Sequence, residues 1–333
     1  MHELPASVVH LAHLAEAGAR GCAAPVLTAA AQIDRAASEQ RPPQTCSGGL
    51  VVTSEVAQQP LSALPDALEH WDEIAARLAH RQLVLVLDVD GTLAGIESVP
   101  SAVVVPEKNR ELLQELAQHC VVAVLSGREL SDVHRLVDLP GLWYAGSHGF
   151  EITAPDGSQE VHEAGNKALP GLDRAERMLG EALEDVPGVL LDRKRFGLAV
   201  HYRNVADDAV EQVITEAHRA AENSPELRVT SGRQVIELVP AVNWNKGYAL
   251  RRILVLTGMA DHPDLLPVYA GDDYTDEDAL QVVHTSGLGF VVRSTEHGDR
   301  PTWAHYALAD SGSLSELLTR IASLEADPAR RKP

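Results

Sequence analysis

The chain has 333 residues, 45% of them hydrophobic and 23% charged, enough apolar side chain for a sizeable core without disulfides and a composition that excludes disorder as the default. Its 48 acidic against 28 basic residues give a formal net charge of −20, which repels polyanions and argues against nucleic acid or an anionic membrane as the main partner. The three cysteines, Cys22, Cys46 and Cys120, are scattered without CxxC or Cys/His metal spacing and suit a reducing compartment. With no Lys or Arg before Arg20 and no apolar run approaching about 20 residues, we expect neither a signal peptide nor a membrane span, and a cytoplasmic protein.

Residues 1–63, rich in Ala, Gln, Ser and Pro, read as an N-terminal extension to which we assign no chemistry; helical spacing is visible around 6–38. A new pattern starts at Leu64-Pro65-Asp66, where Asp66 can cap a helix carrying Leu68, Trp71, Ile74 and Leu78. Leu83-Val84-Leu85-Val86-Leu87 follows, a continuous apolar run of the kind a strand covered on both faces requires. The spacing then predicts a helix over 107–119, a strand over 121–125, a helix over 129–137 and a strand over 143–145. Such alternation implies an open α/β sheet with its ligands beyond the carboxyl ends of the strands.

Between about 154 and 235 the texture changes. Asp156-Gly157 signals a turn, 171–185 and 206–222 look helical, Gly197 to Tyr202 alternates like a strand with one wet face, and a further strand follows at 233–239. We read 154–235 as a small α+β insertion. The α/β pattern then resumes with a helix at 246–256, a strand at 266–270, a helix at 275–283 and a strand at 289–292. The catalytic core is thus expected over 64–153 and 236–324, with a polar tail at 325–333.

Four runs carry the chemistry. Asp88 and Asp90, in Asp88-Val89-Asp90-Gly91-Thr92, emerge at a strand's end, where Asp88 fits a nucleophile for phosphoryl transfer and Asp90 a general acid and base. A calcium loop starting at Asp88 would want Gly and Glu where Leu93 and Val99 stand, so that reading fails. Ser126-Gly127-Arg128 ends the next strand, where a hydroxyl, backbone N–H groups and a helix start could hold phosphate oxygens. Lys246, in Asn243-Trp244-Asn245-Lys246-Gly247, could offset charge on phosphate and on Asp88. Gly271 to Asp278 packs five acids into seven residues after a strand; Asp272, with Asp273 and Asp276 in support, suits a cation such as Mg²⁺, and Asp276 also suits a helix cap.

Together and in this order, these runs resemble the four motifs of the haloacid dehalogenase phosphatases. With Gly146-Ser147-His148-Gly149-Phe150-Glu151, they resemble the trehalose-6-phosphate phosphatases over about residues 65–322. The resemblance implies a Rossmann-like haloacid dehalogenase core with an inserted α/β cap that sets substrate specificity. It implies Mg²⁺ held by Asp88, the Asp90 carbonyl and Asp272, with catalysis by Asp88, Asp90, Ser126 and Lys246. It implies substrate contacts at Gly127, Arg128, His148, Glu151 and Asn245 and, on the cap, at Arg195, His201, Arg203 and Glu237. Val89 departs from the aromatic residue many members carry there, at a position expected to face the substrate.

The expected reaction is hydrolysis of trehalose 6-phosphate through an aspartyl phosphate, with a sugar phosphate as small-molecule partner and an association with a trehalose-6-phosphate synthase as a further one. Glucosylglycerate phosphate or sucrose phosphate are alternative substrates, and a phosphohexomutase, which needs a sugar bisphosphate activator, is an alternative activity on the same fold. Two other classes compete: a metal-dependent glycosyltransferase, which uses Asp-x-Asp but says nothing of Ser126 or Lys246, and a non-catalytic sugar-phosphate sensor.

Overall fold

The computed structural model describes residues 57–97, 99–232, 234–294 and 298–327. Most of the N-terminal extension and of the tail, with the helical spacing at 6–38, therefore lies outside the described residues. The run Leu83 to Leu87 forms a strand, Gln82–Leu87, near the middle of an eight-stranded sheet. Its order is Tyr306–Leu308, Leu288–Val292, Leu265–Gly271, Gln82–Leu87, Val121–Leu125, Trp143–Gly146, Glu151–Thr153 and Gln159–Val161. The first six strands are parallel, and the last two turn back antiparallel.

Strand periodicity decides which core each residue joins. Leu83, Leu85 and Leu87 pack on one face against Leu113 and Leu116 of the helix Glu107–Leu116, Val133 of Leu130–Val137 and Leu314, Leu317 and Ile321 of Ser311–Glu325. Val84 and Val86 point to the other face, against Leu250 and Ile253 of Lys246–Leu256 and Leu280 and Val283 of Glu277–Ser286. Both faces are dry, which is why the sequence shows an unbroken apolar run. The helix over 64–78 begins only at Trp71; the Asp66 carboxylate accepts the amides of Leu68 and Glu69 in the preceding turn.

A second sheet is built on a different plan. Leu190–Lys194, Gly197–His201, Val235–Pro240 and Leu227–Gly232 pair antiparallel in that order. Leu198, Val200, Ile236 and Leu238 bury one face against Ala168, Leu172, Ala175 and Leu179 of Glu163–Ala182 and Val213 and Ala217 of Asp207–Glu222. The other face carries the alternate residues and stays wet.

The strand pairing divides the chain differently from the change in texture near 154 and 235. The hairpin around Asp156-Gly157 returns Gln159–Val161 to the large sheet, closed by Ala154 N–H to the Ser158 carbonyl at 2.8 Å. At the far end, Val235–Pro240 pairs only within the small sheet. The first helix of the insertion starts at Glu163 rather than 171, with Pro170 inside it; packing of Ala168 and Leu172 on the small sheet outweighs the local cost of a helix breaker.

Candidate active site

The carboxyl ends of three neighbouring strands, Leu265–Gly271, Gln82–Leu87 and Val121–Leu125, place the acid runs side by side. The Asp88 amide donates to the Ala270 carbonyl at 3.0 Å, fixing the first run against the last. Gly91 has φ +75°, and a Cβ there would collide with the Asp272 carboxylate, so only glycine lets the two loops meet. Val89, expected to face the substrate, is wholly buried in the main core. In the loop that follows the strand, Asp90 is partly exposed and its carboxylate meets Arg128.

Lys246 is the hub. Its Nζ lies 2.7 Å from Asp88 Oδ1 and 2.6 Å from Asp276 Oδ1, and all three residues are buried. Burial opposes the lysine's charge, but Asp276 and Asp88 outweigh it and hold the ammonium above its usual range. The two carboxylates respond differently. Burial pushes Asp88 up to about 7, only partly offset by Lys246. Burial also opposes the Asp276 charge, yet Lys246, the Tyr269 hydroxyl and the Asp273 amide hold this carboxyl below its ordinary value.

That difference separates two roles. Asp276 Oδ1 accepts from Lys246 and from Tyr269 Oη (2.5 Å), while Oδ2 accepts the amides of Asp272 (3.0 Å) and Asp273 (2.9 Å). Four hydrogen bonds fill its acceptor capacity and make it a brace for the loop. Asp88, Asp272 and Asp276 bring carboxylate oxygens within 4.8 Å of one another, and of the three Asp272 is raised furthest, to about 8, by burial and then by Asp88. Asp88 and Asp272 therefore form a buried oxygen-donor pair whose repulsion a divalent cation would relieve.

Asp90 is held from the other side. Arg128 Nε and Nη2 donate to its two oxygens at 2.6 and 2.7 Å, a fork that fixes the carboxylate's orientation. Arg128, expected to contact the substrate, is thus committed to Asp90. Ser126 is buried, and its Oγ accepts the Arg128 amide at 3.2 Å. The buried hydroxyl of Thr92 has no hydrogen-bond partner among the described residues.

Ser147 and His148 both adopt left-handed φ, 51° and 56°, in a turn pinned by Ser147 N–H to the Arg128 carbonyl (2.6 Å) and His148 N–H to the Ser126 carbonyl (2.9 Å). This backbone strain, about 1–3 kcal/mol per residue, sets the His148 ring against Gly127, where a Cβ would lie 2.7 Å from it. Burial, then Lys246, pushes the imidazole down to about 4, so it is neutral at neutral pH.

The large sheet's strand ends and the wet face of the small sheet enclose a cleft of about 310 Å³. Of the expected substrate contacts it brings together Gly127, His148, Asn245 and Glu237, beside Lys246. Glu151 and Arg195 pair with each other and do not line the cleft; the Arg195 amide also donates to Glu129 Oε1 at 2.6 Å. His201 and Arg203 stand apart from it as well: His201 pairs with Val235 at the far end of the small sheet, and Arg203 reaches Gln234. The cleft holds residues that sequence reasoning missed, Lys194, Arg228 and Thr230 on the small sheet and Trp244 beside Asn245. For Arg228 and Thr230 the signal was the alternation with Leu227 and Val229 in Leu227–Gly232; Leu190–Lys194, Leu-Leu-Asp-Arg-Lys, does not alternate, and neither strand was expected.

Fold and site together define an α/β protein with a Rossmann-like core sheet and an inserted α/β domain, the fold of a haloacid dehalogenase-like hydrolase from Bacteroides thetaiotaomicron (TM-score 0.52 at 16% identity, covering 72% of this chain and 99% of that one). The trehalose-phosphatase family profile matches residues 86–312, and the chain belongs to that family. It is 46% identical over 271 residues to a trehalose-phosphate phosphatase of Mycobacterium tuberculosis, covering 81% of this chain and 69% of that one. It is 45% identical over 264 residues to an uncharacterized glycosyl hydrolase of the same organism, covering 79% of this chain but only 20% of that much longer protein. An Aspergillus fumigatus trehalose-6-phosphate phosphatase structure has the same fold, with a TM-score of 0.59 at 23% identity, covering 78% of this chain and 99% of that one.

Proposed function

We propose that this chain hydrolyses trehalose 6-phosphate to trehalose and phosphate in two displacements at Asp88. The observation that carries the reading is the buried Asp88–Lys246–Asp276 arrangement, whose Lys246 lines a cleft of about 310 Å³, in a chain of the trehalose-phosphatase family. Asp88 attacks phosphorus, the bond to the sugar oxygen breaks, and Asp90, oriented by Arg128, gives that oxygen its proton. Asp90 then takes a proton from water as the water attacks the aspartyl phosphate, which releases phosphate and restores Asp88.

Lys246 and Ser126 would neutralise and hold the transferring oxygens. Asp88, Asp272 and the Asp90 carbonyl would hold Mg²⁺; when bound, it supplies charge compensation to the phosphoryl oxygens and to Asp88. Lys194, Arg228, Glu237, His148 and Asn245 would recognise sugar hydroxyls across the cleft, giving the inserted domain its part in specificity. Scattered cysteines suit a cytoplasmic setting, and a trehalose-6-phosphate synthase, as the source of the substrate, would be its partner in the reaction sequence.

Purified protein with Mg²⁺ should release phosphate from trehalose 6-phosphate far faster than from glucose 6-phosphate, sucrose phosphate or glucosylglycerate phosphate. Equal rates across this panel would remove the sugar assignment. Dependence on a sugar bisphosphate would point to a mutase.

A further inference from the structure

Arg300 belongs to the run Asp299-Arg300-Pro301-Thr302-Trp303, which carries no motif, yet its side chain is buried beneath the loop that holds Asp272. Nη2 donates to the carbonyl oxygens of Asp272 (2.9 Å) and Asp273 (3.2 Å), Nη1 pairs with Glu277, and the guanidinium lies 5.0 Å from the Tyr274 ring centroid. One peptide plane is thereby gripped from both sides. The unit joining Asp272 to Asp273 gives its oxygen to Arg300 and its N–H to Asp276 Oδ2 at 2.9 Å. A planar unit bonded at both edges cannot rotate, and its orientation sets where the Asp272 side chain starts.

The backbone that carries Arg300 is itself pinned. The Arg300 carbonyl accepts the Leu61 amide at 2.9 Å, Pro301–Thr302 pairs with Gln59–Pro60, and Asp299 accepts from both the amide and the hydroxyl of Ser62 at 2.7 Å. By charge alone a buried cation beside a divalent-cation site is unfavourable, so the value of Arg300 there lies in geometry.

We propose that Arg300 is a positioning residue for the cation site: it locks the Asp272–Asp273 peptide so that the Asp272 carboxylate faces Asp88, and residues 59–62 strap it in place. This rests on the reading of Asp88 and Asp272 as metal ligands.

The test is direct binding of Mn²⁺ to the full chain, read from the electron paramagnetic resonance signal of the free ion. Wild type, Asp272→Asn, Arg300→Met, Arg300→Lys and Asp299→Ala are compared, with melting in EDTA as the control for folding. Asp272→Asn should abolish binding, and Arg300→Met should weaken it by about 10–100-fold, the range found for residues that orient metal ligands. Arg300→Lys keeps the charge but not the fork and should fall between, and Asp299→Ala should show a smaller loss in the same direction. At saturating metal, KM for the sugar phosphate should stay at its wild-type value in the Arg300 variants. A folded Arg300→Met with wild-type Mn²⁺ affinity overturns the proposal. Where Arg300→Met does not fold, wild-type affinity in both Arg300→Lys and Asp299→Ala overturns it equally. An Asp272→Asn protein that still binds Mn²⁺ as wild type does removes the metal reading, and this proposal with it.

Discussion

The two sheets that face each other across the cleft present candidate site residues in opposite ways. The large sheet delivers Asp88, Ser126, His148 and Asp272 from loops just beyond the ends of strands, each within a compact run of polar and glycine residues. The small sheet delivers Lys194, Arg228, Thr230 and Glu237 from three different strands, one or two side chains at a time. A loop can carry several functional groups in a row because none of them must bury its neighbours. A strand with one dry face can offer only every second residue, and the set that meets in space is scattered in sequence.

Asp88→Asn should lower phosphate release by roughly four orders of magnitude or more while the melting profile shows an intact fold, since an amide cannot serve as the nucleophile. Substantial residual turnover would move the chemistry away from the large sheet.

Glu237→Gln or Arg228→Ala, on the small sheet, should lower kcat/KM for the sugar phosphate by about tenfold through KM. Hydrolysis of an aryl phosphate without the sugar should change little. An equal loss on both substrates would mean that the small sheet acts on the phosphoryl group itself.

Asp88 and Asp272 are raised from 3.8 to about 7 and about 8. A carboxyl raised on folding stabilises fully below its unfolded value, and that contribution is lost as pH rises through the folded one. The metal-free protein should therefore melt progressively lower from about pH 4 to about pH 8, and Mg²⁺ should recover more of the loss toward the upper end, because binding displaces protons. Calorimetry with EDTA and with Mg²⁺ measures both, and a profile flat in pH without metal would contradict the burial that raises both carboxyls.

The smallest effects are expected at His201→Ala and Arg203→Ala, which the structure keeps out of the cleft; kcat/KM should stay within about twofold of wild type, as for surface changes away from a site. A tenfold loss in either would require a cleft that extends to the far end of the small sheet.

Legibility in the sequence follows the same division. The unbroken run Leu83 to Leu87 announces a strand buried on both faces, and Asp88 and Asp90 directly beyond it announce a site, because adjacency in the chain is adjacency in space there. Glu151 and Arg195 were legible as charged residues near the site, but their pairing with each other, 44 residues apart, was not. The same holds for Arg128 and Asp90, 38 residues apart, and for Lys246 and Asp88, separated by 158. Arg300 carried no signal at all, since the contacts it makes are mostly with backbone carbonyls, which every residue possesses.

By itself, the sequence determined the alternating α/β pattern, the inserted segment and the order of the four acid, hydroxyl and lysine runs, because periodicity and strand-end motifs are local properties of the chain. Only the tertiary structure decided that Asp276 braces Lys246 and the loop, that Arg128 holds Asp90, and that Lys194 and Arg228 face the cleft. Those assignments depend on which side chains occupy a carboxylate's few acceptor positions and on which face of a strand is dry. Both are set by residues distant in the chain.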